Sequence, residues 1–143
     1  MSRFIQVTPD FAVSPQVVAE DFAAAKGAGF AHVVNNRPDG EEAGQLTIAA
    51  AEGAAHAAGL AYTAIPISGM PGEPHVEAMA AVLEAKTGPI LAYCRSGTRS
   101  ITVWALAQAY RRAAPAEELV AAASRAGYDL SALAPVLRRL SES

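Results

Sequence analysis

The stretch Pro89–Ser100, Pro-Ile-Leu-Ala-Tyr-Cys-Arg-Ser-Gly-Thr-Arg-Ser, constrains the fold of this chain more than any other. Pro89 opens an apolar run of strand length, Ile90-Leu91-Ala92-Tyr93, which reads as a buried strand. Next come the only cysteine, Cys94, and a short polar loop in which Gly97 permits a sharp turn. From Ser100 the apolar spacing becomes helical, with Ile101, Val103, Trp104 and Leu106 ahead of Tyr110. A strand, tight loop and helix in this order bring the backbone N–H groups of residues 95–100 around one point beside a helix N-terminus. Such a point is an anion site, and Cys94 stands at its mouth.

That placement selects the chemistry. A free thiol titrates near ~8.5, and helix N-termini and neighbouring cations can lower this to roughly 3.5–7.5. Arg95 and Arg99 supply cations, and Ser96, Thr98 and Ser100 supply hydroxyl donors. A lone cysteine is otherwise a small buried hydrophobe; the loop around Cys94 argues for a nucleophile instead.

The sequence Tyr93-Cys94-Arg95-Ser96-Gly97-Thr98-Arg99-Ser100 resembles the active-site loop of rhodanese-like sulfurtransferases and, more distantly, the phosphate loop of cysteine-dependent phosphatases. A second segment, Val33-Val34-Asn35-Asn36-Arg37-Pro38-Asp39-Gly40-Glu41-Glu42, narrows the match. Together the two resemble the bacterial β-lactamase hydrolase-like protein, phosphatase-like domain family, also grouped with sulfur transferases. The resemblance runs from about Phe11 to Arg112. It implies an α/β, cysteine-phosphatase-like three-layer fold, with a short, mostly parallel central sheet flanked by helices.

At 143 residues the chain is expected to form one domain, residues 1–143. The net charge of −3 argues against a general nucleic-acid binder, although seven of the eleven basic residues follow Cys94. One cysteine permits no internal disulfide and no resolving thiol, which suits a reducing compartment. No apolar run approaches the ~20 residues of a membrane span, and the first residues lack a signal-peptide pattern. The expectation is a cytoplasmic protein. No glycine-rich nucleotide motif is present, and three scattered histidines form no metal-ligand cluster, so no cofactor and no metal are expected.

Along the chain, residues 4–7 and 11–13 read as short strands around a Pro9-Asp10 turn, and Ser14-Pro15 as a helix-start signal for a helix ended by Gly27 or Gly29. Further strands are expected at 30–34 and 60–67, and helices at 46–58, 74–86, 115–126 and 131–140. In an open α/β sheet, loops at the strand C-termini line the ligand crevice. Parallel strands would therefore bring the segment 35–44 beside Cys94, where Arg37 could bind an anionic substrate and Asp39 could orient it. The residues alone also fit an ordinary turn there.

The third loop, Ser68-Gly69-Met70-Pro71-Gly72-Glu73-Pro74-His75, bears on the choice of reaction. Cysteine phosphatases commonly carry an aspartate there to protonate the leaving oxygen; this chain has none, and Glu73 or His75 are the candidate substitutes. Phosphatases also use Cys-x5-Arg, whereas Cys94 to Arg99 is Cys-x4-Arg, with Ser100 at the next position. The shorter ring matches a terminal persulfide sulfur and is the loop length of the rhodanese family.

The expected function is therefore transfer of sulfane sulfur from thiosulfate or a persulfide, through a Cys94 persulfide, to an external thiol. Arg99 would hold the donor, with Arg95, Ser96, Gly97, Thr98 and Arg37 completing the anion site. The alternative is phosphate-ester hydrolysis through a Cys94 phosphocysteine, with Ser100 assisting departure of the thiolate. A non-catalytic anion or persulfide sensor is the third reading.

Overall fold

In the computed structural model, which describes residues 4–142, the chain forms five strands, six α-helices and a 3-10 turn. Residues 1–3 and 143, part of the expected domain span, lie outside the described residues. The strands are β1 (Ile5–Thr8), β2 (Phe11–Ser14), β3 (His32–Asn35), β4 (Ala61–Ala64) and β5 (Ile90–Tyr93). The helices are α1 (Ala19–Gly27), α2 (Ile48–Ala57), α3 (Glu73–Ala85), α4 (Thr98–Tyr110), α5 (Ala116–Arg125) and α6 (Ala134–Glu142).

The sheet order is β1-β2-β5-β3-β4, and only β1 runs antiparallel to its neighbour. β5 is central, paired in parallel with β2 on one side and β3 on the other. All four of its residues are buried, as the uninterrupted apolar run requires for a strand covered on both faces. Alternate side chains then divide between two cores. Val13, Val34 and Ala92 point into one with α3, α4, α5 and α6, while Ala12, Val33 and Leu91 point into the other with α1 and α2. The expected three-layer α/β architecture is the observed one.

α4 is buried almost all round, from Ser100 to Ala107, as expected of a helix that is apolar on every side. Trp104 stacks on Phe11 with ring centroids 5.2 Å apart, which locks α4 to β2. Tyr110, at the end of the helix, is exposed.

Several expected boundaries move, two of them for a clear physical reason. Ser14 does not cap α1; it closes β2 opposite Tyr93, and its hydroxyl donates to Pro15 O at 2.8 Å. The helix starts later, where the Asp21 carboxylate accepts the Val18 N–H at 2.9 Å. The strand expected over 60–67 is shorter, because only Ala61–Ala64 pair with β3; beyond them Ile65 and Ile67 turn their N–H groups to Asn35 O and Asn36 O.

Candidate active site

The C-terminal ends of all four parallel strands gather on one edge of the sheet. Cys94 follows β5, Gln16 lies just beyond β2, Asn36 and Arg37 follow β3, and Ile65–Ile67 follow β4. This is where an open parallel sheet places its ligand crevice.

Cys94 is fully buried, and its sulfur accepts the Gly97 N–H at 3.1 Å. Gly97 has φ +95, a left-handed conformation that costs glycine little and other residues much. It directly precedes α4, so the positive end of the helix dipole adds to that hydrogen bond. Ser96 and Thr98 are exposed and share a hydroxyl contact of 3.0 Å. Arg95 is also exposed at the rim, with its carbonyl accepting the Gln16 N–H at 3.2 Å.

The Arg99 guanidinium is held end-on. Its Nη1 and Nη2 donate to the two carboxylate oxygens of Glu41 at 2.8 and 2.9 Å, and Nη1 also donates to Ile67 O at 2.7 Å. These bonds use three of the five N–H groups of the fork. The remaining two, on Nε and Nη2, lie along one edge, the geometry that grips two oxygens of an anion. Glu41 pushes the Arg99 basicity up, and the nearby Cys94 charge adds to it against the opposing effect of burial. Arg99 and Cys94 therefore belong to one electrostatic unit.

Glu41 itself sits between two arginines. Arg37 donates from Nε to Glu41 at 2.8 Å, from Nη2 to Glu42 at 3.3 Å and from Nη1 to Gln16 at 3.0 Å. Arg37 is only 1% exposed. Arg37, expected in the anion site, meets protein acceptors here: its cation buttresses Glu41, which in turn aims Arg99. Hydrogen bonds from Arg99 and then from Arg37 hold the Glu41 carboxyl at about 2, far below its ordinary range.

Ser100 is fully buried and its hydroxyl donates to Asn36 Oδ1 at 2.8 Å. The hydroxyl expected to assist thiolate departure is thus held by Asn36, whose amide Nδ2 donates to Ile65 O at 3.1 Å. Asn36 ties together the ends of β3, β4 and β5, since its N–H also donates to Tyr93 O at 2.8 Å. Asp39, expected to orient a substrate, accepts the Ile48 N–H at 2.8 Å at the start of α2. His75 Nδ1 accepts the Gly72 N–H at 2.9 Å at the start of α3, and Glu73 is exposed on the same first turn. Among the described residues, no group of His, Cys, Asp and Glu side chains could hold a metal ion.

Glu41, Asn36, Gln16 and Tyr128 join the site without a role expected from the sequence. For Glu41 the only signal was its place in the quoted segment, and its contact with Arg99 spans 58 positions. Tyr128 carried a clearer one: it directly follows Gly127, a helix-stop glycine, and its hydroxyl donates to Ser96 O at 2.9 Å.

A mostly parallel α/β sheet whose central strand delivers a buried cysteine to the N-terminus of the following helix is a cysteine-phosphatase-like fold. Solved structures agree. A protein of Neisseria meningitidis provisionally named a phosphatase superposes with a TM-score of 0.80 at 26% identity, covering 98% of this chain and 99% of that one. Tk-PTP in its active form shares the fold, with a TM-score of 0.72 at 18% identity over 98% of this chain and 97% of its own. The chain belongs to the β-lactamase hydrolase-like protein, phosphatase-like domain family, whose model matches residues 3–111. It is 31% identical over 140 residues to the β-lactamase hydrolase-like protein of Agrobacterium fabrum, covering 97% of this chain and 32% of that protein. The chain therefore spans about a third of the length of the curated relatives it matches.

Proposed function

We propose that this site hydrolyses phosphate monoesters through a phosphocysteine on Cys94. The observation that carries the reading is the convergence on Cys94 of the Gly97 N–H, the start of α4 and the Arg99 guanidinium, whose fork Glu41 and Ile67 O hold in place beside the sulfur. The family and the names of its structural neighbours favour phosphate over the sulfur chemistry expected from the loop alone.

In the first step the Cys94 thiolate attacks phosphorus opposite the ester oxygen. An S–P bond forms, the P–O bond breaks, and the leaving oxygen departs with the electron pair and takes a proton from water. The Nε–Nη2 edge of Arg99 and the loop N–H groups offset the charge on the phosphoryl oxygens. Water then attacks the phosphocysteine, the S–P bond breaks, and sulfur returns to the thiolate as phosphate leaves.

The substrate class follows from proton supply. A positioned general acid contributes roughly 10²–10⁴ in rate. Residues 68–72 carry no carboxylate, Glu73 points to solvent on the first turn of α3, Glu41 stays ionised between its arginines, and His75 Nδ1 is engaged at the start of α3. Esters with weakly basic leaving groups, such as aryl phosphates, need that help least and are the substrates this site fits.

Loop length favours one second reading. Four residues rather than five separate Cys94 from Arg99, a ring suited to a persulfide sulfur. One experiment separates the two. Reduced wild type is expected to hydrolyse a nitrophenyl phosphate and Cys94→Ser to be inactive. No hydrolysis, together with a gain of one sulfur from thiosulfate by wild type alone, would replace the phosphatase reading with sulfur transfer.

A further inference from the structure

We propose that Tyr128 is a positioning residue for the Cys94 thiolate, because it holds the Ser96–Gly97 peptide in the orientation that aims the Gly97 N–H at sulfur. The C=O and N–H of a trans peptide point in opposite directions within one plane. Here the two ends of a single peptide are both engaged. Tyr128 Oη donates to Ser96 O at 2.9 Å on one side, and Gly97 N donates to Cys94 Sγ at 3.1 Å on the other. Releasing the carbonyl frees the peptide to rotate, and rotation would turn a carbonyl dipole toward the sulfur in place of an N–H. Glycine makes that rotation easy, since it accepts either sign of φ. The residue that permits the tight loop also leaves it in need of a clamp.

Tyr128 is itself placed by a rigid device. Its N–H donates to Ala123 O at 2.9 Å and the Gly127 N–H to Ser124 O at 3.0 Å, with Gly127 at φ +98. This is the Schellman ending of α5, which fixes the direction of the chain at Tyr128. Immediately after it, Asp129 Oδ1 accepts the Ser131 N–H and hydroxyl at 2.9 and 2.6 Å and pins the following turn. The phenol also lies tightly over the loop, for a Cβ at position 97 would collide with its hydroxyl. Burial and then the charge of Cys94 push the Tyr128 phenol up from its ordinary range, so it remains an O–H donor. Tyr128 lies outside residues 3–111, the part that the family model matches. The segment that follows the matched region thus reaches back to complete the loop.

This inference rests on Cys94 acting as a thiolate nucleophile, but not on whether phosphate or sulfur is transferred. Its test is alkylation of Cys94 by iodoacetamide across a pH series, read by intact mass, for reduced wild type and Tyr128→Phe below both unfolding transitions. The variant keeps the ring and removes only the donor. The midpoint of its rate-against-pH curve is expected to move to higher pH, with the rate at neutral pH down roughly fivefold, the equivalent of one neutral hydrogen bond. Amide exchange at Gly97 should quicken in the same variant. Superimposable curves would overturn the inference, as would a lower rate at every pH with an unmoved midpoint, which reports access rather than thiolate stabilisation. Loss of aryl-phosphate hydrolysis in the wild type would count against the phosphatase reading and leave the alkylation result standing.

Discussion

At the scale of single residues, the carboxylate of Glu41 accepts from both Arg99 and Arg37, and these bonds, Arg99 first, lower its folded-state value from 4.5 to about 2. A carboxyl depressed on folding contributes stability that is fully present above its unfolded value and is lost as pH falls through the folded one. Wild type should therefore melt above Glu41→Gln at neutral pH, with the gap narrowing below pH 4.5 and closing near about pH 2. Thermal melts of the two proteins along that series check this; a gap independent of pH would remove the ion pairs as its cause. Arg99→Lys replaces a planar fork by a point charge and loses the geometry that pairs with Glu41 and with an anion at once. We expect kcat/KM for an aryl phosphate to fall roughly 10²-fold, the usual cost of one transition-state donor. Kinetics equal to wild type would take Arg99 out of the site. None of these pairings is written in local sequence. Arg37 and Glu41 are four apart, but in a loop rather than on a helix, so no spacing rule joins them, and Arg99 reaches Glu41 only once β3 and β5 are neighbours.

At the scale of elements, the unit formed by β5, its loop and α4 was legible because its signals are local. An unbroken apolar run, a glycine and a change of period describe Ile90–Tyr93, Gly97 and Thr98–Tyr110 without reference to the rest of the chain. The helices expected over 46–58 and 115–126 were legible for the same reason, since a glycine of positive φ, Gly59 or Gly127, follows each. Ser14-Pro15 misled, since a hydroxyl followed by proline fits a helix start equally well, and pairing of β2 with β5 takes Ser14 into the sheet. Gly97 is where element and site meet. Gly97→Ala imposes a left-handed conformation on a residue with a Cβ, at roughly 1–3 kcal/mol, and drives that carbon into the Tyr128 hydroxyl. Its melting temperature should drop and its turnover should fall more than tenfold. Wild-type turnover in Gly97→Ala would show that the loop geometry is not what activates Cys94.

At the scale of the whole molecule, the sheet carries two cores on opposite faces and one chemical edge. α1 and α2 cover one face and α3 to α6 the other, which leaves the C-terminal ends of β2, β3, β4 and β5 to assemble the site. The segment after α4 adds more than packing, because the end of α5 returns Tyr128 to the cysteine loop. Among the described residues, no helix is long and apolar enough to cross a membrane. In the proposed reaction Cys94 takes up a phosphoryl group during turnover. The most direct measurement is intact mass after acid quench of the reduced protein turning over an aryl phosphate, with peptide mapping of any adduct. One phosphoryl group is expected on Cys94 in wild type and none in Cys94→Ser. Steady turnover with no adduct on Cys94, or an equal adduct in Cys94→Ser, would contradict it.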